Sequence, residues 1–288
     1  MDILGKRKIW YMISSAVILI GLIFLLTSGL NLGIDFSGGT LMEFKFDKKV
    51  NNEEARKVLE KINIAVDSKI QQTEEEEIHG ILIRAKELSS DDILAVENAF
   101  KESYLTTELL RTEMVGPLIG QELRKKAFLA LLLASLAIVI YISIRFEFRF
   151  AIVAIITLLH DVVITLGIFA LIGREINTPF VAALLTIVGY SINDTIVIFD
   201  RIRENMKLMY RKPFEELANK AVVDTLPRSI NTSMTTLITI LAIYLFGGAS
   251  IKTFMLALFI GMFAGTYSSI FVASPLLVTW TKRISANK

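Results

Sequence analysis

Six stretches of this 288-residue chain are long enough to cross a bilayer and carry almost no charge: Ile9 to Gly29, Ala127 to Ile144, Phe150 to Gly173, Phe180 to Phe199, Asn231 to Ala249 and Phe254 to Thr281. A hydrocarbon core of about 30 Å takes roughly 20 apolar helical residues to span. No soluble core has room for six such runs, so the chain reads as a multi-pass membrane protein. Its composition agrees, with 53% hydrophobic residues and a mean hydropathy of +0.56. Cysteine is absent and there are two histidines, which removes disulfides, thiolate metal sites and cysteine nucleophiles. No metal, cofactor or catalytic residue is expected, and no nucleic-acid partner. Gly38-Gly39 lacks the strand-to-helix context of a phosphate-binding loop.

The net charge of +2 hides two opposite values. Residues 30–126 hold 19 acidic and 14 basic side chains, a balance of −5, so the remainder is +7. The first run follows Lys6, Arg7 and Lys8 but exceeds a signal-peptide core and lacks a small-residue cleavage pattern, so it reads as a retained anchor. With Lys6 to Lys8 placed in the cytoplasm, the predicted inside segments carry fifteen Lys and Arg, Lys288 among them, and the two short outside loops only Arg174 and Lys252. The positive-inside rule therefore predicts both termini in the cytoplasm. Arg124, Lys125 and Lys126 end a long translocated segment, where that rule has little force.

The hydrophilic segment has its own pattern. Thr40 to Phe46 alternates like a strand, Asn51 to Ile62 repeats apolar residues at helical spacing behind an Asn cap, and Ser68 to Gln72 is a weak strand candidate. His79 to Leu88 alternates again, Ser89 to Tyr104 reads as a capped helix, and Leu105 to Val115 as a last strand, before Gly116-Pro117 closes the domain. Strand, helix, strand, strand, helix, strand is the split ferredoxin-like order, with a polar second sheet face expected. The acidic run Glu74 to Glu77 reads as a solvated turn rather than a cation site. The expected fold is thus a six-helix membrane protein with an inserted α+β ferredoxin-like extracytoplasmic domain. Its parts are 1–29, 30–126 and 127–288, with a cytoplasmic loop at about 201–228.

Ionisable residues at membrane depth are costly and mark function by default. His160 and Asp161 sit mid-span but point about 100° apart, so they cannot squarely face one partner. Asp194 follows Asn193 in the fourth run, with Tyr190 one turn before it; Asp200 and Arg201 lie at the cytoplasmic boundary and read as interfacial charges. The fifth span opens near Pro227, and Arg228, Thr232, Thr235, Thr236 and Thr239 form a polar stripe. Such hydroxyls often only bond backbone carbonyls or glue helices. A stripe headed by a permanent cation, in a bundle with buried acids, favours function. Protonation of Asp194 or Asp161 would control whether Arg228 is attracted. Gly261 and Gly265 form a close-packing pair and no more.

Two stretches carry a family resemblance: Leu32-Gly-Ile-Asp-Phe-Ser-Gly-Gly-Thr40 and Ser191-Ile-Asn-Asp-Thr-Ile-Val-Ile-Phe-Asp-Arg-Ile-Arg-Glu-Asn205. With His160-Asp161-Val162 and Thr225 to Ser233, they resemble the signatures of the SecF family of protein-export membrane proteins, in the SecD/SecF group of the RND superfamily. The resemblance implies a half of an RND machine in the prokaryotic cytoplasmic membrane. It implies pairing with a SecD-like half near a pseudo-two-fold axis, association with the SecYEG translocon and YajC, and use of the proton gradient to assist export of unfolded polypeptide. Asp194 and Arg228 occupy its proton-pathway positions, with Asp161, His160 and Asn193 as further proton-coupling candidates; Gly33, Asp35, Gly38, Gly39, Asp200 and Arg201 are signature positions.

Two other functions fit part of the pattern. An RND-type exporter of lipid or small molecules requires a sizeable apolar cleft, for which 97 residues with one sheet leave little room. An intramembrane aspartic protease requires the carboxyls of Asp161 and Asp194 to share a proton, and Asn193 stands where such proteases place glycine before one catalytic Asp.

Overall fold

The computed structural model describes residues 1–64, 69–75, 78–104, 106–209 and 211–286. In chain order the elements are α1 (Arg7–Thr27), α2 (Ile34–Ser37), β1 (Gly39–Phe46), α3 (Asn52–Lys61), β2 (Lys69–Glu75), β3 (Ile78–Ala85), α4 (Ser90–Ser103) and β4 (Glu108–Val115). Then follow α5 (Pro117–Arg145), α6 (Phe148–Ile172), α7 (Thr178–Leu208), α8 (Phe214–Phe246), α9 (Ala249–Ser268), a π-helical turn (Ser269–Ala273) and α10 (Ser274–Ala286). The chain divides into two compact units, Leu32–Ala127 and the remainder.

In the α+β unit the strand order is β2-β3-β1-β4, antiparallel throughout. Both long helices begin with reciprocal caps. Asn51 accepts from Glu54 N–H at 2.8 Å while the Glu54 carboxylate accepts from Asn51 N–H at 3.0 Å, and Ser89 and Asp92 repeat the arrangement at the start of α4. The Ser89 hydroxyl and N–H hold the Asp92 carboxyl below its ordinary pKa. Met42, Phe44 and Phe46 of β1 and Ile81 and Ile83 of β3 form the core with Val58, Leu59 and Phe100, and Phe44 stacks on Phe100 at 4.9 Å. The second sheet face is less polar than the alternation suggests, because Ile34, Leu41, Leu82 and Val115 form a small apolar cluster there. Glu74 and Glu75 belong to strand β2 rather than to a turn, since the hairpin pairs them with His79 and Ile78. Ser68, Glu76, Glu77 and Leu105, which the sequence reading includes in its strand and turn segments, lie outside the described residues.

Gly38 and Gly39 are where the unit most needs glycine. Both have positive φ, +73° and +120°, and a Cβ on Gly39 would stand 2.4 Å from the Ala85 carbonyl oxygen of β3. Helix α2, just before them, packs on the first turns of α5: Arg124 donates to the Phe36 carbonyl at 2.6 Å, and a Cβ on Gly120 would meet Gly38 N at 3.1 Å. Gly39→Ala is expected to destabilise the α+β unit by about 1–3 kcal/mol of backbone strain, plus the cost of moving β3. Limited proteolysis of the full chain in detergent checks this; wild-type resistance of the unit would refute it.

Among the described residues, six helices are long and apolar enough to cross a membrane. α6, α7 and the last span are half or more buried within the chain, whereas α1 and α5 bury about a tenth or less. The core between α6, α7, α8 and α10 is built on Phe150, Phe199, Ile202, Ala218 and Val222, with Phe150 edge-on to Phe199 at 5.0 Å. Glycine permits the closest crossings. A Cβ on Gly167 of α6 would stand 2.6 Å from the Gly21 Cα of α1, one on Gly261 2.2 Å from Ile187, and one on Gly265 2.9 Å from the Ser191 Cβ. The Gly261–Gly265 pair therefore packs α9 on α7.

In the membrane unit two further expectations change. Residues 201–228 are largely helical, because α7 continues to Leu208 and α8 starts at Phe214, so that 209–213 connect the two helices. Pro227 lies inside α8 instead of starting it, and Pro213 precedes the helix. Membrane helices tolerate an internal proline where neighbouring groups satisfy the freed backbone. Near that turn Glu215 is paired with both Arg7 and Lys282, while Asn219 Oδ1 accepts from Ile3 N–H at 2.9 Å and Leu4 N–H at 3.2 Å. These contacts tie the base of α8 to α1 and α10.

Candidate functional site

The two buried carboxyls have different surroundings. Asp161 is fully buried on α6. Its Oδ1 meets His160 Nδ1 at 2.9 Å, and its Oδ2 accepts from Ser191 Oγ of α7 at 2.5 Å and from Ser268 Oγ of α9 at 2.8 Å. His160 and Asp161, read as diverging neighbours, bond each other because the imidazole nitrogen curls back onto the adjacent carboxylate. One carboxyl thus joins three helices. Ser269, the first residue of the π-helical turn, extends the polar contact: its hydroxyl lies 2.9 Å from Thr195 Oγ and donates to the Ser191 carbonyl at 3.3 Å. π-helical turns inside longer helices are frequent at functional sites.

Asp194 is also buried, on the side of α7 that faces α8. Ser233 stands against its carboxyl, the positive charge that acts on it is that of Arg228, and Thr266 Oγ donates to Ser233 Oγ at 2.7 Å. Its Oδ2 is covered yet has no hydrogen-bond partner among the described residues. The α7–α8 register that produces this contact is fixed nearer the turn. Asn205 donates to the Leu217 carbonyl at 3.2 Å, and Arg201 pairs with Asp224 at 2.7 Å.

Arg228 and Asn193 are exposed, and so are Asn231, Thr232 and Thr235 on the same flank of α8. The threonine stripe itself takes the bland role, because Thr235, Thr236 and Thr239 donate to backbone carbonyls one turn back. Asp200 and Arg201 lie in partly exposed ion pairs, Asp200 with Arg203 and Arg201 with Asp224 and Glu204. Sequence reasoning did not single out Ser191, Ser229, Ser233, Ser268 or Ser269. The four-residue spacing of Ser229 and Ser233 was the available signal for α8, since it puts both hydroxyls on one helix face. Among the described residues no cluster of His, Asp and Glu is placed to hold a metal ion.

Six apolar helices around two buried acids, with an α+β unit inserted after the first, define a membrane-helical half of the RND type. The family model "Protein export membrane protein SecD/SecF, C-terminal" matches residues 95–283, and "SecD/SecF GG Motif" matches residues 23–50. The chain belongs to the SecD/SecF family of protein-export membrane proteins. It is 44% identical to protein translocase subunit SecF of Thermobaculum terrenum, over 98% of this chain and 94% of that protein. It is 41% identical to protein translocase subunit SecDF of Thermus thermophilus, over 95% of this chain but 37% of that longer protein. A crystal structure of SecDF from Thermus superposes with a TM-score of 0.92 at 38% identity, covering 98% of this chain and 39% of that one.

Proposed function

We propose that the chain is the subunit that, with a SecD-like partner half, assists Sec-dependent export of unfolded polypeptide across the cytoplasmic membrane, driven by the proton gradient. The observation that carries this reading is Asp194, buried with one oxygen unpartnered among the described residues, under the charge of an Arg228 that stands on an exposed polar flank. Exposed polar residues at membrane depth need a protein surface over them. The fused SecDF relatives support a SecD half as that surface. Asp194 takes and releases the proton. Arg228 is held while Asp194 is ionised and freed when it is neutral. Asp161 and His160 serve the pathway by fixing Ser191, and with it α7, in position, and Asn193 belongs to the flank beneath the partner.

The basic turn between α7 and α8 favours a cytoplasmic position for it, which puts both termini in the cytoplasm and the α+β unit outside. The strand order β2-β3-β1-β4 supports a ferredoxin-like reading of that unit. SecYEG and YajC are the further partners proposed. The activity is mechanical coupling rather than catalysis of a covalent step, and it uses no cofactor. An aspartic protease dyad is disfavoured because Asp161 has His160, Ser191 and Ser268 as its partners and not Asp194.

The test is export of a preprotein into vesicles containing the full chain, its partner half and the translocon. An imposed proton gradient is expected to raise export several-fold and an uncoupler to remove the gain. Export indifferent to the gradient, with gradient-dependent efflux of an added lipid or dye instead, would overturn the reading in favour of a small-molecule exporter.

A further inference from the structure

Three side-chain oxygens on α7 and α8 are covered and lack a hydrogen-bond partner among the described residues: Tyr190 Oη, Asp194 Oδ2 and Ser229 Oγ. Buried polar atoms almost always have a partner, and each exception calls for a reason. Their order along the helix pair supplies one. α7 and α8 are antiparallel neighbours, with Asn205 opposite Leu217, Arg201 opposite Asp224 and Asp194 opposite Ser233. Ser229 precedes Ser233 by four residues and so lies one turn nearer the 209–213 turn than Asp194. Tyr190 precedes Asp194 by four residues and lies one turn on the other side. At 5.4 Å per turn, the three residues follow one another at intervals of about one turn, with Asp194 in the middle. Two hydrogen bonds through one water span about 5.5 Å, close to the rise of one turn. Ser229 is 1% exposed, so its hydroxyl is shut off from the surface of the chain.

We infer that Ser229 and Tyr190 are the two hydroxyl stations of a proton relay through Asp194, Ser229 on the side of the α7–α8 turn and Tyr190 on the opposite side, with water between stations. The step balances without another reactant. Each hydroxyl accepts a proton at its oxygen from one water while releasing its own to the next, and is unchanged when Asp194 has gained or lost one. The other charged or titratable groups nearby are Arg228, whose charge acts on Asp194, and Asp161 with His160, which are engaged with Ser191 and Ser268. The inference rests on the proton-coupled reading above and names the groups that deliver the proton.

The experiment uses the full chain with its partner half in vesicles and reads gradient-stimulated export. Ser229→Ala and Tyr190→Phe are each expected to slow it at least tenfold at unchanged complex yield, whereas Ser229→Thr, which keeps the hydroxyl, stays within about twofold of wild type. Because the chain has no cysteine, Ser229→Cys and Tyr190→Cys introduce single thiols into it, and both are expected to react with a small water-soluble methanethiosulfonate despite their burial. Asp194→Asn is run alongside. If it abolishes stimulation while Ser229→Ala and Tyr190→Phe match wild type, or if both thiols stay unreactive, the relay is wrong and the coupling reading stands. If Asp194→Asn itself matches wild type, both fall.

Discussion

Asp194→Asn is expected to leave the chain folded and paired with its partner half while abolishing the part of export that depends on the proton gradient, a fall of tenfold or more. The amide has the size of the carboxyl and can still meet Ser233, so packing between α7 and α8 survives. What it cannot do is change charge. Each proton that crosses releases about 2.3 kcal/mol per 100 mV, and that energy reaches the protein only if some group binds and releases the proton. With a fixed amide beside it, the Arg228 guanidinium meets the same neighbour throughout. Arg228→Lys keeps the charge but replaces a planar fork by a compact ammonium, so a partial loss of several-fold is expected. Export with and without an uncoupler, normalised to complex yield, measures both. Full stimulation in Asp194→Asn would remove Asp194 from the mechanism.

Asp161→Ala is expected to fail earlier, at the level of the folded bundle. The substitution strips three groups of their acceptor at once, the His160 nitrogen and the Ser191 and Ser268 hydroxyls. An orphaned buried donor costs about 1–3 kcal/mol. Hydrogen bonds between membrane helices average nearer 0.6 kcal/mol, since the separated helices also find partners. A loss of roughly 2–5 kcal/mol follows, together with a hole between α6, α7 and α9. Thermal unfolding in detergent should show a markedly lower midpoint and a poor yield. Asp161→Asn separates position from charge: its amide oxygen can still accept from both serines, so near-wild-type stability and export are expected. Loss of export in a fully stable Asp161→Asn would show that the charge of Asp161 matters beyond its grip on the helices.

Much of this was legible in the residues, for identifiable reasons. Length and lack of charge mark a membrane helix without any tertiary information, so the six spans and the buried acids stood out. The capped helices at Asn51 and Ser89 were readable because each cap closes within four residues. What failed depended on contacts between distant segments. Pro227 looked like a helix start, since the contacts that keep α8 continuous around it come from other helices. The stretch 201–228 looked like a loop because its charges are paired helix to helix, as in Arg201–Asp224. Serine carries almost no sequence signal inside an apolar run, so the hydroxyls around Asp161 and Asp194 emerged only when α6, α7, α8 and α9 were brought together.

The grip of three helices on Asp161 has a consequence for biogenesis. Asp161 and Ser268 are 107 positions apart in the chain, so during synthesis α6 enters the bilayer with its carboxyl well before the last of its partners has been made. Until α9 arrives, the Asp161 carboxyl lacks the Ser268 hydroxyl as a partner, and an ionisable group short of partners is costly at membrane depth. Arrival of Ser268 completes the set of partners late, so α9 secures a helix made long before it.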